Sequence, residues 1–177
     1  MNTINKLTGG RSLATIMPSR RDNLIFWSIA VAGTAADLWT KSAVFNWLNH
    51  HESFTVIDGV FYIITTVNDG AAFGIASGKR SLLTAASFAA LAAIVILFLF
   101  GQIRDRLVTV ALGMFTAGIC GNLYDRLFNH GCVRDFIDIV YWPGKHWPAF
   151  NIADSLLCVG VGLMFINIYI TGESEDK

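Results

Sequence analysis

Four runs without a charged residue constrain this chain of 177 residues more than any other feature: 23–36, 81–103, 107–124 and 155–172. Most approach the ~20 apolar residues that cross a bilayer core, so they read as four transmembrane helices. Composition agrees, because 54% hydrophobic and 15% charged residues is more apolar than a soluble domain. The formal net charge is zero, which gives nucleic acid nothing to bind by bulk electrostatics.

The placement of cations sets an orientation. Lys6, Arg11, Arg20 and Arg21 precede the first run, and Arg104 and Arg106 link the second to the third. Both segments are therefore expected in the cytoplasm. Lys41, Lys79, Arg80, Arg126, Arg134 and Lys145 then fall outside, and the basic cluster ahead of the first helix decides, since that helix usually sets topology. Residues 1–22 read as a flexible cytoplasmic lead. A cleavable signal peptide is disfavoured because apolar character continues past Asp37 through Ala43, Val44, Phe45, Trp47 and Leu48. The expected organisation is one membrane domain over 23–172, both termini cytoplasmic, with an acidic tail at 173–177.

Between the runs the pattern changes. An extracytoplasmic β element is expected over about 50–76, where FTVI, Asp58-Gly59 and VFYIITTV make a hairpin signal with a type I′ turn. The stretch Asn68-Asp69-Gly70-Ala71-Ala72-Phe73-Gly74 is either a loop returning to the bilayer or a peptide-binding edge, with Asn68 offering its amide and Gly70 allowing close backbone approach. Residues 127–148 read as a connection whose Tyr141, Trp142 and Trp147 suit the headgroup region. In the third run, Gly113, Ala117 and Gly121 form a small-residue stripe for close helix packing.

The ionisable residues converge. Asp37 and Lys41 lie four apart on one helix face, either as an interfacial ion pair with Lys41 snorkelling or as part of a site. Asn122 and Arg126 share a face, with Asp125 as counter-charge to Arg126. The 18 residues of that run rise about 27 Å, placing Asp125 and Arg126 at the outer membrane face, where Asp154 and Asn151 begin the fourth helix. A carboxylate near hydrocarbon is a functional hypothesis by default. Asp135, with Asp138 as a rival three residues on, and Asp154 come from separate elements. Held close in a low-dielectric site, two such groups share a proton and act as base and acid on a water attacking a peptide carbonyl. Asp154, near a helix N-terminus, is the candidate for the ionised member.

Other chemistries lack their residues. Cys120, Cys132 and Cys158 form no CxxC and read as buried apolar cysteines. His50, His51, His130 and His146 show no metal-ligand spacing, and no GxSxG or activated Cys–His pair is present. No metal or cofactor is expected. The competing reading is a non-enzymatic four-helix membrane protein whose aspartates handle protons or ions.

Five ordered motifs bring a resemblance into view: Asp37-x-x-Thr40-Lys41, Asn68-x-Gly70-Ala71-Ala72-Phe73, Gly118-x-x-Gly121-Asn122-x-x-Asp125-Arg126, Val133-x-Asp135-Phe136 and Phe150-Asn151-x-Ala153-Asp154. Over 23–172 the chain resembles the lipoprotein signal peptidase family, signal peptidase II. The resemblance implies an aspartyl endopeptidase of the bacterial inner membrane that cuts diacylglyceryl-modified prolipoproteins before the lipidated cysteine and is inhibited by globomycin. It implies Asp135 over Asp138 as partner of Asp154, and Asp37, Lys41, Asn68, Gly70, Asn122, Asp125, Arg126 and Asn151 as residues that line or support the site. It also implies an all-α membrane fold of four spans with a small extracytoplasmic cradle and a periplasmic loop helix, entered sideways by lipid-tethered substrate. Ala117-Gly118 stands where the family usually has two glycines.

Overall fold

The computed structural model describes residues 17–48, 52–71 and 76–175. Four helices occur among them: α1 (Arg20–Trp47), α2 (Arg80–Phe100), α3 (Arg106–Phe128) and α4 (Ile152–Glu175). Polar caps set two of the starts. Ser19 accepts from the backbone N–H of Asp22, and Asp105 accepts from those of Leu107 and Val108 at 2.7 and 3.1 Å, satisfying donors that a first helical turn leaves orphaned.

Three of these helices are long and apolar enough to cross a membrane: Arg80–Phe100, Arg106–Phe128 and Ile152–Gly172. The remaining helix, α1, at 28 residues, is long enough, but Asn23, Thr34, Asp37, Thr40 and Lys41 dilute its apolar character. It also starts at Arg20, ahead of the expected 23, and continues through Trp47.

The bundle is organised around α3, which packs on α1, α2 and α4. In its most apolar stretch 56% of residues are buried, against 6% in α2 and α4, so the latter two turn most of their surface to lipid. Lipid tails are as apolar as leucine, so packing here depends on close backbone approach rather than on escape from water. The small residues supply it. A Cβ on Gly113 would meet the Phe26 carbonyl oxygen of α1 at 3.1 Å, one on Gly118 the Ala153 oxygen of α4 at 2.6 Å, and one on Gly121 would fall on the Asp37 carboxylate. At the other end of the bundle Phe26, Phe98 and Leu112 form an apolar cluster, with the Phe26 and Phe98 rings stacked at 3.9 Å.

Outside the helices lies a four-stranded antiparallel sheet, β1 (Ser53–Ile57), β2 (Phe61–Asn68), β3 (Val133–Trp142) and β4 (Lys145–His146), in that spatial order. An all-α description is therefore too narrow. The expected hairpin is β1–β2, but its turn is not type I′: Gly59 has φ +73 while Asp58 stays out of the left-handed region, and Val60 N–H donates to the Ile57 carbonyl. One positive φ, at the second central residue, fits a type II turn. The connection expected over 127–148 is instead mostly strand. VRDFIDIVYW is rich in β-branched and aromatic residues and bounded by Gly131 and Pro143-Gly144, and it adds to β2 across Asn68↔Val133 and Tyr62↔Asp138. Among the described residues the extramembrane segments hold no further helix; Ala72, Phe73 and Gly74 of the expected peptide-binding edge, and His50 and His51, lie outside them.

Close packing at Gly121 generates one expectation. Gly121→Ala drives a methyl group into Asp37 and is expected to cost about 1–3 kcal/mol, read as a lowered Tm in detergent. Gly162→Ala, at a position with open space around it, serves as the control, with Tm unchanged or slightly raised because alanine is the better helix former. Equal melting of both variants would contradict the packing described.

Candidate active site

The site is assembled by a hairpin that turns β3 back into α4. Beyond β4 the chain returns along β3: Phe136 and Ile137 donate their N–H groups to the Phe150 carbonyl at 3.1 and 2.8 Å, and Phe150 N–H donates to the Ile137 carbonyl at 3.1 Å. This pairing delivers Asn151, the residue before α4, to the side of Asp135.

Asn151 and Asp154 then cap the helix reciprocally. The Asn151 Oδ1 accepts from Asp154 N–H at 3.0 Å and the Asp154 Oδ2 accepts from Asn151 N–H at 3.1 Å, the pattern of a capping box. Its amide nitrogen is left to donate to Asp135 Oδ1 at 2.6 Å and Asn122 Oδ1 at 3.1 Å. Asn122 in turn donates to Asp154 Oδ1 at 2.8 Å. Two asparagines thus link the two carboxylates.

Beneath them lies a buried charge cluster. Lys41 of α1 is fully buried and donates to Asn122 Oδ1 at 3.0 Å, with Asp37 Oδ2 at 2.7 Å and Asp125 Oδ2 at 3.2 Å. Asp37 and Asp125 are equally buried. Asp37 Oδ1 accepts from Ala153 N–H at 2.9 Å, tying α1 to the first turn of α4. The Asp37–Lys41 pair is thus interior, and Lys41 does not snorkel to an interface. Besides Lys41, Asp125 takes Arg134 rather than its neighbour Arg126 as a cation: it accepts from Arg134 Nε, Nη2 and backbone N–H at 3.0, 2.7 and 2.9 Å. A salt-bridged pair of neighbours at the helix end is therefore replaced by a bond from helix to strand.

Arg126 turns instead into a cavity of about 780 Å³, whose walls include Asn68, Gly70, Asn122, Asp135 and Asp154. It donates to the Gly70 carbonyl at 3.2 Å, and its Nε is buried without a hydrogen-bond partner among the described residues. Asn68 folds the loop by accepting from Gly70 N–H at 2.9 Å and also hydrogen-bonds Asp135. Asp135, 2% exposed, has its carboxyl pushed up to about 7, first by burial and then by the charge of Asp154, against the lowering effects of Asn151, Asn68 and Lys41. All ten sequence-derived residues thus occupy this cavity or the network beneath it.

Asp138 lies elsewhere, bonded to His146 in a separate groove across the sheet. Sequence reasoning missed Arg134 as the partner of Asp125, and it missed the walls formed by Thr66, Trp147, Phe150 and the α4 residues Leu157, Cys158 and Val159. The strand signal in VRDFIDIVYW could have been found in the sequence, whereas the register that sets Arg134 opposite Val67 comes from its pairing with β2. The cysteines are less buried than expected: Cys120 and Cys132 are partly buried, and Cys158 is exposed.

Known proteins resemble this chain in sequence and in fold. Residues 29–170 match the family model described as signal peptidase (SPase) II. The lipoprotein signal peptidase of Geobacter metallireducens is 40% identical over 158 residues, covering 86% of this chain and 95% of that protein. That of Bacillus subtilis is 37% identical over 154 residues, covering 87% and 99%. A solved bacterial membrane enzyme structure, obtained by the in meso method, superposes with a TM-score of 0.76 at 35% identity, covering 84% of this chain and 89% of that one. A second, at 36% identity, gives 0.70. Buried carboxylates at the head of a helical bundle, a matching family model and full-length relatives agree that this chain belongs to the signal peptidase II family, the membrane aspartyl peptidases that process lipoproteins.

Proposed function

We propose that Asp135 and Asp154 are the reacting pair of a peptidase that cleaves diacylglyceryl-modified prolipoproteins before the lipidated cysteine. The observation that carries this reading is that one carboxyl from a strand and one from a helix start line a single cavity, with Asp135 raised to about 7 partly by its neighbour's charge. Two carboxyls so coupled hold one proton between them near neutral pH. Asp154, held by Asn122 and by the Asn151 backbone N–H, takes the proton of the attacking water. Asp135 carries the shared proton to the scissile carbonyl oxygen, and the proton from water then reaches the leaving amine. Family membership leaves the ion-handling alternative without support.

The fourth span is α1. Its Asp37 and Lys41 are fully buried and paired inside the protein, so neither of these charges meets lipid, and the exposed Trp39 and Trp47 suit an interfacial belt. With the basic lead inside, both termini are cytoplasmic and the cavity opens at the outer leaflet of the inner membrane, where acyl chains on a substrate enter from the side. The apolar wall of Leu157, Cys158 and Val159 fits such a ligand, and globomycin is expected to compete for the cavity.

Asp135→Asn and Asp154→Asn are each expected to abolish cleavage of a lipidated precursor by the purified enzyme while leaving it monodisperse in detergent; turnover by either variant would remove the dyad. The pH dependence follows from Asp135. Its folded value, about 7, lies above the unfolded value of about 4, so the native state holds a proton that the unfolded chain releases. Its contribution to stability is complete below about pH 4 and is lost as pH rises toward 7. Activity is expected to fall as pH passes 7. Asp135→Asn, which cannot ionise, is expected to melt above the wild-type Tm at pH 8 and not at pH 5; parallel Tm profiles would show that Asp135 is not protonated in this range.

A further inference from the structure

Three residues beyond Asp135 on the same strand lies a second buried carboxylate that the chemistry above leaves unused. Both oxygens of Asp138 stand 2.9 Å from Nδ1 of His146. The carboxylate is buried, while the imidazole is 54% exposed. The bond crosses from β3 to β4, where Val140 faces His146 and Trp142 faces Lys145. Two residues make a weak strand on their own, and the turn that leads into β4 is an exposed Pro143-Gly144 with Gly144 at φ +70. From His146 the chain runs directly back along β3, with Trp147 N–H on the Ile139 carbonyl at 2.8 Å and Phe150 on Ile137. The next residue is Asn151, whose amide sits 2.6 Å from Asp135.

We propose that Asp138 and His146 are positioning residues for the peptidase: their bond staples the return strand to β3 and so fixes the register that sets Asn151 on Asp135 and Asp154 opposite it. A slip of one residue would turn every side chain of the return strand to the other face, and Asn151 would leave both carboxylates. The proposal rests on the reading of Asp135 and Asp154 as the reacting pair. Neither residue of the staple lines the cavity that holds that pair.

The staple also has a signature in the pH profile. Asp135 is faced by Asp154 from α4, Lys41 from α1, Arg126 from α3 and Asn68 from β2, besides Asn151. Of these only Asn151, with Asp154 three residues on, depends on the hairpin's register. The charge of Asp154 raises Asp135 by more than the Asn151 bond lowers it, so a loosened hairpin that moves both away shifts the descending limb of activity to lower pH.

Two sets of variants of the full-length enzyme in detergent test this on a lipidated precursor peptide. Asp138→Ala and His146→Ala are each expected to lower kcat by about ten- to a hundredfold with KM within about twofold, and the descending limb near pH 7 shifts downward. The double variant is no worse than either single one, because both remove the same bond. Asp138→Asn, which keeps an acceptor for His146, restores most of kcat. The second set controls for folding: Val140→Cys with His146→Cys, at positions that face each other in register, replaces the staple by a disulfide. Oxidised protein is expected to work near the wild-type rate, and reduction of the same sample to lower kcat as the alanine variants do, while wild type carried through the same cycle stays constant.

Unchanged kcat and pH limb in the alanine variants, a loss confined to KM, or equal rates for the oxidised and reduced double-cysteine protein would each overturn the proposal. Asp135→Asn separates the two levels of the argument. A cleaving Asp135→Asn enzyme refutes the reacting pair, whereas an inactive one combined with a silent redox cycle refutes only the staple.

Discussion

A lysine ammonium with no solvent exposure, deep in a helical bundle, is the constraint on which the rest of this structure depends. Lys41 is fully buried, and an unpaired charge there would cost several kcal/mol, so the fold must bring acceptors to it from distant parts of the chain. Asp37 comes from the preceding turn of α1, while Asn122 and Asp125 come from α3. Arg134 from β3 then balances the second carboxylate, so that two cations and two anions form a neutral set. Ala153 at the start of α4 is drawn in by its N–H on Asp37. One buried charge thus joins α1, α3, β3 and α4, the elements whose ends build the cavity.

This arrangement separates support from chemistry. The charges that compensate one another lie in the inner layer, where nothing has to move. In the outer layer Asn122 and Asn151 carry that order to Asp154 and Asp135 through neutral amides, which fix position without supplying a counter-charge. Asp135 therefore meets burial and a like charge nearby with hydrogen bonds and the cations Lys41 and Arg126, neither of which bonds it directly, opposing them, and its carboxyl rises to about 7. Had Arg134 or Lys41 bonded it directly, it would be an ordinary ionised carboxylate and could not hold a proton near neutral pH.

The helices and the site were legible in the sequence for different reasons. Long charge-free runs announce α2, α3 and α4 by themselves, and the ordered motifs named the asparagines that hydrogen-bond the two carboxylates, though not the apolar walls of the cavity. The first helix was harder to bound, because the groups that dilute its apolar stretch, Asp37 and Lys41, are interior residues that only tertiary contacts can satisfy. The strand β3 was hidden by its neighbours: aromatic residues beside a membrane read equally as an interfacial loop, and only its pairing with β2 tells the two apart. The same omission hid Arg134, whose register on β3 aims it at Asp125 nine residues earlier. Local order suggested Arg126 as the partner of Asp125, yet helix geometry turns those adjacent side chains to different faces.

The central claim is that Asp135 holds a proton near neutral pH in a cavity it shares with Asp154. Infrared difference spectroscopy of the purified enzyme, titrated from pH 5 to pH 9 with wild type and Asp135→Asn in parallel, reads that proton directly through the protonated carboxyl stretch. A band that titrates near pH 7 in wild type and is missing from the variant is the result this account predicts. A wild-type spectrum with no protonated carboxyl band at pH 5.5, or one whose band survives in Asp135→Asn, would contradict it.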